Sequence, residues 1–95
     1  MGTKKITLIE LIYKMGEAQF AIDQDMGYST TMSWKNGSRI PKPRKAKQMI
    51  RDYKGRKEGQ LSWESIYDPE SFPASLKRAN AMKKKPGARK LEAAQ

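Results

Sequence analysis

The sequence predicts an all-α domain of four or five short helices. Residues 8 to 15 and residues 46 to 53 each repeat apolar side chains at positions i, i+3, i+4 and i+7, the spacing of one helix face. Between and after these segments, glycine and proline residues divide the chain into short pieces. Because only 37% of the 95 residues are hydrophobic, we expect one small core, with part of the chain outside it.

The first helix is predicted from the residues that begin and end it. Thr7, with Glu10 three positions later, has the form of a capping box, and Gly16 follows the last apolar residue of the repeat. Glu10 and Lys14 interrupt the apolar stretch, which therefore differs from a secretory signal peptide. No apolar run approaches the ~20 residues that span a bilayer, so we expect no membrane segment and a cytoplasmic location.

The next two helices are short and close together in the chain. The second is predicted from residue 17 to residue 26, where Gly27 breaks it. The third is predicted from about residue 30 to residue 35, with Ser29 as its N-cap and Asn36-Gly37 at its end. The pair therefore has the form of two helices joined by a tight turn.

Proline and serine residues mark the elements that follow. The prolines between residues 38 and 43 prevent a regular helix there, whereas Pro43 suits the first turn of a fourth helix over about 44 to 54. Residues 61 to 67 alternate apolar and polar side chains, which fits a short β-strand. Ser62 as an N-cap fits one helical turn equally well, so both interpretations stay open at this segment.

The end of the chain is predicted to be a basic tail over residues 71 to 95. Leu76, Ala79 and Met82 recur every three residues and indicate a weak helix. From Pro86 onward the residues are small and basic, so we expect this remainder to be disordered. The tail is therefore predicted to be partly helical and then disordered.

Positive charge is concentrated in two blocks of the sequence. The formal net charge is +10, and residues 35 to 57 hold ten Lys or Arg against one acid. Residues 77 to 90 hold seven bases and no acid, whereas residues 58 to 76 carry four acids and no base. Such blocks favour a polyanionic partner. Nucleic acid is the leading candidate, an anionic membrane surface is second, and a solvated surface is the alternative that needs no partner.

The composition argues against an enzyme. The chain has no cysteine and no histidine, which removes disulfides, thiol catalysis, the common zinc sites and the usual general base at neutral pH. Asp23 and Asp25 are two residues apart and diverge on a helix, and no glycine-rich phosphate loop is present. We therefore expect no catalytic site, no cofactor, no metal ion and no small-molecule ligand.

The third helix and the loop after it supply the candidate binding residues. Two short helices joined by a tight turn are what a helix-turn-helix requires, because its second helix enters a DNA groove. Polar side chains of that helix are expected to contact bases, with Met32 and Trp34 as its anchors, while the basic loop contacts phosphates. The candidate DNA-contacting residues are Gln19, Ser29, Thr30, Thr31, Ser33, Lys35, Asn36, Ser38, Arg39, Lys42 and Arg44.

The same region resembles a known class of regulators. The run YSTTMSWKNGSRIPKPRKAKQM is similar to the recognition-helix region of the phage Cro and repressor class of helix-turn-helix proteins. The features of that class that recur here are Ser29, Trp34, Asn36, Gly37, Arg39 and Pro41. The later stretch GQLSWESIYDP resembles the segment after the fourth helix of small Cro-like proteins, which often has a dimerisation role. The resemblance implies a helix-turn-helix domain over residues 1 to 70 that ends in a dimerisation segment.

Two registers of this resemblance are open. If Phe20 and Ala21 are the apolar-alanine pair of the second helix, the turn glycine of the class falls on Asp25, and Trp34 falls on its anchor position. If Gly27 is the turn glycine, Ile22 and Met26 fit, but Asp23 takes a small buried position and the third helix is two residues short. The choice decides which side chains of the third helix face DNA.

Charge and resemblance together predict a sequence-specific transcriptional regulator. It would be phage or mobile-element encoded, bind double-stranded DNA as a homodimer, and occlude polymerase at an operator. One alternative is a non-specific RNA- or DNA-binding protein that uses only its basic surface. Another is an antitoxin or anti-repressor in which residues 60 to 82 bind a protein partner.

Overall fold

Helices account for all the regular secondary structure of the computed structural model, which describes residues 4 to 82. The helices are α1 (Leu8–Met15), α2 (Glu17–Asp23), α3 (Tyr28–Asn36), α4 (Pro43–Asp52), α5 (Trp63–Tyr67) and α6 (residues 73 to 82), with a 3-10 turn at Pro69–Ser71. The all-α prediction is confirmed for this part of the chain. Its one β-type contact is an isolated parallel pairing of Lys5 with Gln60.

Helix α1 begins and ends where the sequence predicts. The Thr7 hydroxyl accepts a hydrogen bond from the Glu10 N–H at 3.1 Å, and Gly16 ends the helix with a φ of 91°. The second hydrogen bond of the predicted capping box, from the Thr7 N–H to the Glu10 side chain, is wrong. The Thr7 N–H donates instead to the Ser75 hydroxyl at 2.8 Å. The Glu10 side chain turns into the interior, where it meets Arg78.

The connection between α2 and α3 differs from the prediction at both ends. Helix α2 ends at Asp23 instead of residue 26, because the chain turns at Gln24 and at Asp25, whose φ of 52° is left-handed. Helix α3 then begins at Tyr28, because the extended backbone at Gly27 places that residue at the N-cap position. Ser29 therefore lies inside the first turn of α3, and its assignment as the N-cap is wrong.

The two interpretations of residues 61 to 67 are decided in favour of the helix. The Ser62 hydroxyl accepts from the Ser65 N–H at 3.1 Å, and the Ser65 hydroxyl accepts from the Ser62 N–H at 2.8 Å. This reciprocal cap satisfies backbone donors at the first turn of α5, so the strand prediction is wrong. Pro43 lies at the start of α4 as predicted, and α4 ends two residues before the predicted position.

The core is centred on three aromatic rings from α2, α3 and the end of α4. The Phe20 ring stacks on Tyr53 at 5.9 Å and meets Trp34 edge-on at 6.3 Å, both between centroids. Aliphatic side chains of α1 and α4 close around them, so both predicted apolar faces are confirmed as core. No helix within residues 4 to 82 is long and apolar enough to cross a membrane.

Helix α6 packs against α1 through a buried polar cluster. Glu10 is fully buried and accepts hydrogen bonds from Arg78 Nε at 2.7 Å and from the Ser75 hydroxyl. Burial alone would raise the pKa of Glu10, but the hydrogen bonds from Arg78 and Ser75 and the charges of Arg78 and Lys14 outweigh it and lower that pKa. The predicted helix in the tail is confirmed over residues 73 to 82, and the predicted disorder from Pro86 lies outside the described residues.

Candidate nucleic-acid interface

A buried glutamine joins α4 to the turn between α2 and α3. Gln24 is 4% exposed, and its side-chain Nε2 donates to the Tyr53 hydroxyl at 2.9 Å. Two side chains of α4 reach the same residue: Lys45 Nζ donates to its backbone carbonyl at 3.1 Å, and Gln48 Nε2 donates to its Oε1 at 3.2 Å. These contacts hold the amino-terminal half of α4 beside the turn that precedes α3.

The Tyr53 hydroxyl completes this network. It donates to Asp23 Oδ2 at 2.6 Å, which links the end of α2 to the end of α4. Burial, followed by the hydrogen bond to Asp23, raises the pKa of Tyr53 well above its ordinary value. Tyr53 is therefore a neutral donor at physiological pH, and the network fixes α2, the turn and α4 as one unit.

Helix α3 presents one face to solvent. Thr31 and Trp34 are buried on one side of the helix, and Ser29, Met32, Ser33 and Asn36 share the opposite side by their helical spacing. Ser29 and Asn36 are exposed, whereas Met32 and Ser33 are half-buried. These four residues are called the α3 face below. The prediction that Trp34 anchors the helix is confirmed, whereas Met32 belongs to the outward side.

Three predicted contact residues of α3 do not lie on this face: Thr30, which is exposed beside it, Thr31 and Lys35. Thr31 is fully buried and its hydroxyl donates to the Gly27 carbonyl at 3.2 Å, so its prediction as a DNA contact is wrong. Thr31 stands three residues before Trp34, and this spacing places both residues on the same side of the helix, which was the sequence signal for its burial. Lys35 points to the side, where its Nζ lies 3.1 Å from Glu17 Oε2 and 4.8 Å from the centroid of the Tyr13 ring.

The other predicted contact residues remain accessible. Ser33 is half-buried, and its hydroxyl donates to the Ser29 carbonyl at 3.1 Å. The Ser38 hydroxyl donates to the Ser33 carbonyl at 3.2 Å, at the start of the loop before α4. The exposed members of the predicted set are Gln19, Ser29, Thr30, Asn36, Ser38, Arg39, Lys42 and Arg44. Most of the predicted set is therefore exposed along α3 and the loop that follows it.

Helix α4 carries three basic residues on its solvent side. Arg44, Lys47 and Arg51 are exposed and stand at positions i, i+3 and i+7, which places them on one face about 10 Å long. They lie opposite the buried Ala46 and Met49. These three residues are called the basic stripe below. The individual site prediction included only Arg44, although the helical spacing of the stripe is visible in the sequence.

Most of the predicted basic block is free to meet an anion. Of its ten bases, Lys35 contacts Glu17, Lys45 donates to the Gln24 carbonyl, and Arg56 lies 2.8 Å from Glu58 Oε1. The remaining seven are exposed and form no ion pair within residues 4 to 82: Arg39, Lys42, Arg44, Lys47, Arg51, Lys54 and Lys57. Exposed Lys and Arg side chains that are not neutralised by nearby carboxylates create a strongly positive surface.

Comparison with known proteins provides no relative for this chain. The chain matches no protein-family model, no curated protein and no solved structure. Its function therefore has to be inferred from the side chains and charges themselves.

Proposed function

We propose that this chain is a sequence-specific DNA-binding transcriptional regulator of the Cro or repressor type. In this proposal α2, its turn and α3 form a helix-turn-helix, and the α3 face enters the major groove. The basic stripe and the loop before it contact phosphates on either side. The observation that carries the proposal is the set of seven exposed bases that follows, along the chain, a helix whose outward face is mostly polar.

The geometry of the turn supports one of the two registers of the resemblance. Asp25 has a φ of 52°, the left-handed conformation that glycine adopts most easily and that Asp tolerates. This is the position at which counting from Phe20 and Ala21 puts the turn glycine of the class, and both of those residues are buried. Counting from Gly27 would require Asp23 at a small buried position, whereas Asp23 is exposed.

The proposal includes a twofold homodimer on a palindromic site. One domain of this size covers little DNA, and two copies on two half-sites multiply both affinity and selectivity. Regulation would follow from occupancy, since a protein bound over a promoter excludes polymerase. A selected binding site that consists of two inverted half-sites is the expected sign of this symmetry.

Selection from a random duplex library tests the proposal. We expect one preferred sequence, bound at least about 1,000-fold more tightly than a scrambled duplex at physiological salt. Replacing Ser29, Met32 and Asn36 together by alanine should remove that preference and leave binding to scrambled DNA nearly unchanged. Equal affinity for every duplex would instead favour the non-specific alternative, in which only the basic surface binds.

A charge variant provides the matched comparison. Replacing all three residues of the basic stripe by glutamine should weaken binding to preferred and scrambled duplexes by the same factor, because phosphate contacts carry no sequence information. The control replaces Lys4 and Lys5 by glutamine, which removes two charges from exposed positions in the segment before α1, outside the proposed interface. A control variant as weak as the stripe variant would contradict the assignment of the phosphate-binding surface.

A further inference from the structure

From the side chains of the α3 face we infer that this helix selects A·T base pairs in the major groove, because the face carries no Arg or Lys, the side chains that most often select guanine. The inference rests on the proposed function, because it requires that α3 enters the groove. It adds the class of base pair that the site recognises. From Ser29 to Asn36 the face spans about 10 Å, the length of roughly three base pairs.

The face lacks the side chains that recognise guanine. In the major groove guanine presents two acceptors, O6 and N7, which are most often bound by Arg or Lys. Lys35 is the one basic residue of α3. Its side chain is 12% exposed and is held by the carboxylate of Glu17 and the ring of Tyr13. Turning the Lys35 side chain toward a base would break both contacts, and Lys35 stands to the side of the α3 face.

Ser33 is set up as an acceptor. Its hydroxyl proton is directed to the Ser29 carbonyl at 3.1 Å, so the oxygen of Ser33 offers its lone pairs to a donor. In the major groove the donors are the amino groups of adenine and cytosine, whereas guanine has none. While Ser33 keeps this hydrogen bond, it presents an acceptor and therefore favours the amino group of adenine or cytosine over guanine.

Met32 and Asn36 narrow the choice to A·T pairs. Met32 is a half-buried apolar side chain between polar neighbours on the face, and the apolar group in the major groove is the thymine methyl. The exposed amide of Asn36 both donates and accepts, which matches the adenine pair of N7 and amino group. Arg39 lies beyond the end of α3 at Gly37, so a guanine that it contacts would flank these pairs.

Base analogues in the selected duplex test each contact. Replacing thymine by uracil under α3 removes only the methyl group, and we expect the wild-type protein to bind about four-fold more weakly. Replacing adenine by 7-deazaadenine removes N7, and we expect a loss of about five-fold or more. Both measurements use the unmodified protein, so neither depends on whether a variant folds.

Variants assign the effects to residues. Met32→Ala should bind thymine and uracil duplexes equally, and Asn36→Ala should bind adenine and 7-deazaadenine duplexes equally. The matched control is Ile22→Ala, which shortens an apolar side chain that is 73% exposed on α2. This control should keep the full sensitivity to the thymine methyl.

The outcomes separate this inference from the proposed function. Selection is repeated with the variant in which Ser29, Met32 and Asn36 are replaced together by alanine. The base pairs under α3 are the positions at which the wild-type protein prefers one base and this variant does not. A guanine required within those pairs, or no loss with uracil and 7-deazaadenine, overturns the inference and leaves sequence-specific binding in place. A selection that returns no preferred sequence overturns the proposed function and this inference with it.

Discussion

Gly59 occupies a position where both the backbone conformation and the lack of space exclude any side chain. Its φ is 136°, and a Cβ built there would lie 2.6 Å from Cδ1 of Ile6, which is fully buried. Gly59 follows the loop after α4 and precedes Gln60, whose backbone pairs with the amino-terminal segment. The close approach therefore joins the loop between α4 and α5 to the segment before α1.

Gly59→Ala should destabilise the domain by about 2–4 kcal/mol, because left-handed strain and overpacking against Ile6 act together. The free energy of unfolding in urea is the measurement. Gly27→Ala is the matched control, since the φ of Gly27 is −70° and no atom lies within 4 Å of its built Cβ. The control should change stability by no more than about 1 kcal/mol, which is the scale of the preference for glycine over alanine at an N-cap. Equal losses at both positions would contradict the packing against Ile6.

At this scale the sequence predicts the apolar core better than it predicts the buried polar residues. Phe20, Ala21 and Trp34 are buried as their types suggest. Gln24 and Thr31 are buried as well, although polar residues of these types are mostly exposed. The burial of Gln24 depends on a partner that only the fold supplies, since Tyr53 is 29 residues away in the chain. Thr31 instead has a local partner, the Gly27 carbonyl, and the DNA-contact prediction failed because it overlooked the helical spacing of Thr31 from the buried Trp34.

Among the elements, α6 is held against α1 by an ion pair in addition to the buried contacts of Ser75. Arg78 donates to both carboxylate oxygens of Glu10, at 2.7 Å from Nε and 3.0 Å from a terminal nitrogen. The Arg78 side chain is 37% exposed, whereas that of Glu10 is fully buried. Removing Arg78 therefore leaves a buried carboxylate with Lys14 as its remaining charged neighbour, at 3.3 Å.

Arg78→Gln should lower the free energy of unfolding at pH 7 by about 2 kcal/mol. This is less than the ~3–5 kcal/mol for breaking a fully buried pair, because Arg78 is partly solvated. The lowered pKa of Glu10 stabilises the folded state above its ordinary value of 4.5, and this stabilisation is lost as pH falls through the lowered pKa. The difference between variant and wild type should therefore shrink below about pH 4 in urea titrations.

Lys77→Gln is the control for that measurement, because it removes the same charge from an exposed neighbouring position. It should leave stability nearly unchanged at every pH. A pH-independent deficit in Arg78→Gln would mean that the lost stability comes from packing of the arginine and not from its charge on Glu10.

The elements themselves were predictable where apolar spacing is regular. Helices α1 and α4 follow from their repeats, with ends within two residues of the prediction. Helix α2 ends early because Asp25 adopts a left-handed conformation, for which its residue type is a weak signal. The helix α5 has only five residues, too few for periodicity to separate a helix from a strand, and its Ser62–Ser65 cap decides the matter.

For the molecule as a whole, the uneven charge predicts how binding responds to salt. If about six of the seven exposed bases meet phosphates, the logarithm of the affinity should fall with the logarithm of salt concentration at a slope of about −5. Replacing the three residues of the basic stripe by glutamine should reduce the slope to about −2, at roughly one unit for each lost contact. Fluorescence anisotropy with a labelled duplex at several KCl concentrations measures both slopes.

The variant with Lys4 and Lys5 replaced by glutamine serves again as the control. Its slope should stay close to that of the wild type, because its lost charges lie outside the proposed interface. An unchanged slope in the stripe variant would show that α4 does not meet the phosphates, whatever the affinity.

The partnership of Glu10 with Arg78 also bears on when this chain can fold during its synthesis. The two residues are 68 positions apart, so α1 leaves the ribosome long before its countercharge is translated. Until then, closing α1 into the core would bury a carboxylate without the arginine that compensates its desolvation. Closure of α1 into the core is therefore less favourable before residues 73 to 82 have emerged. We expect the domain to become fully stable only after its last described helix has been translated.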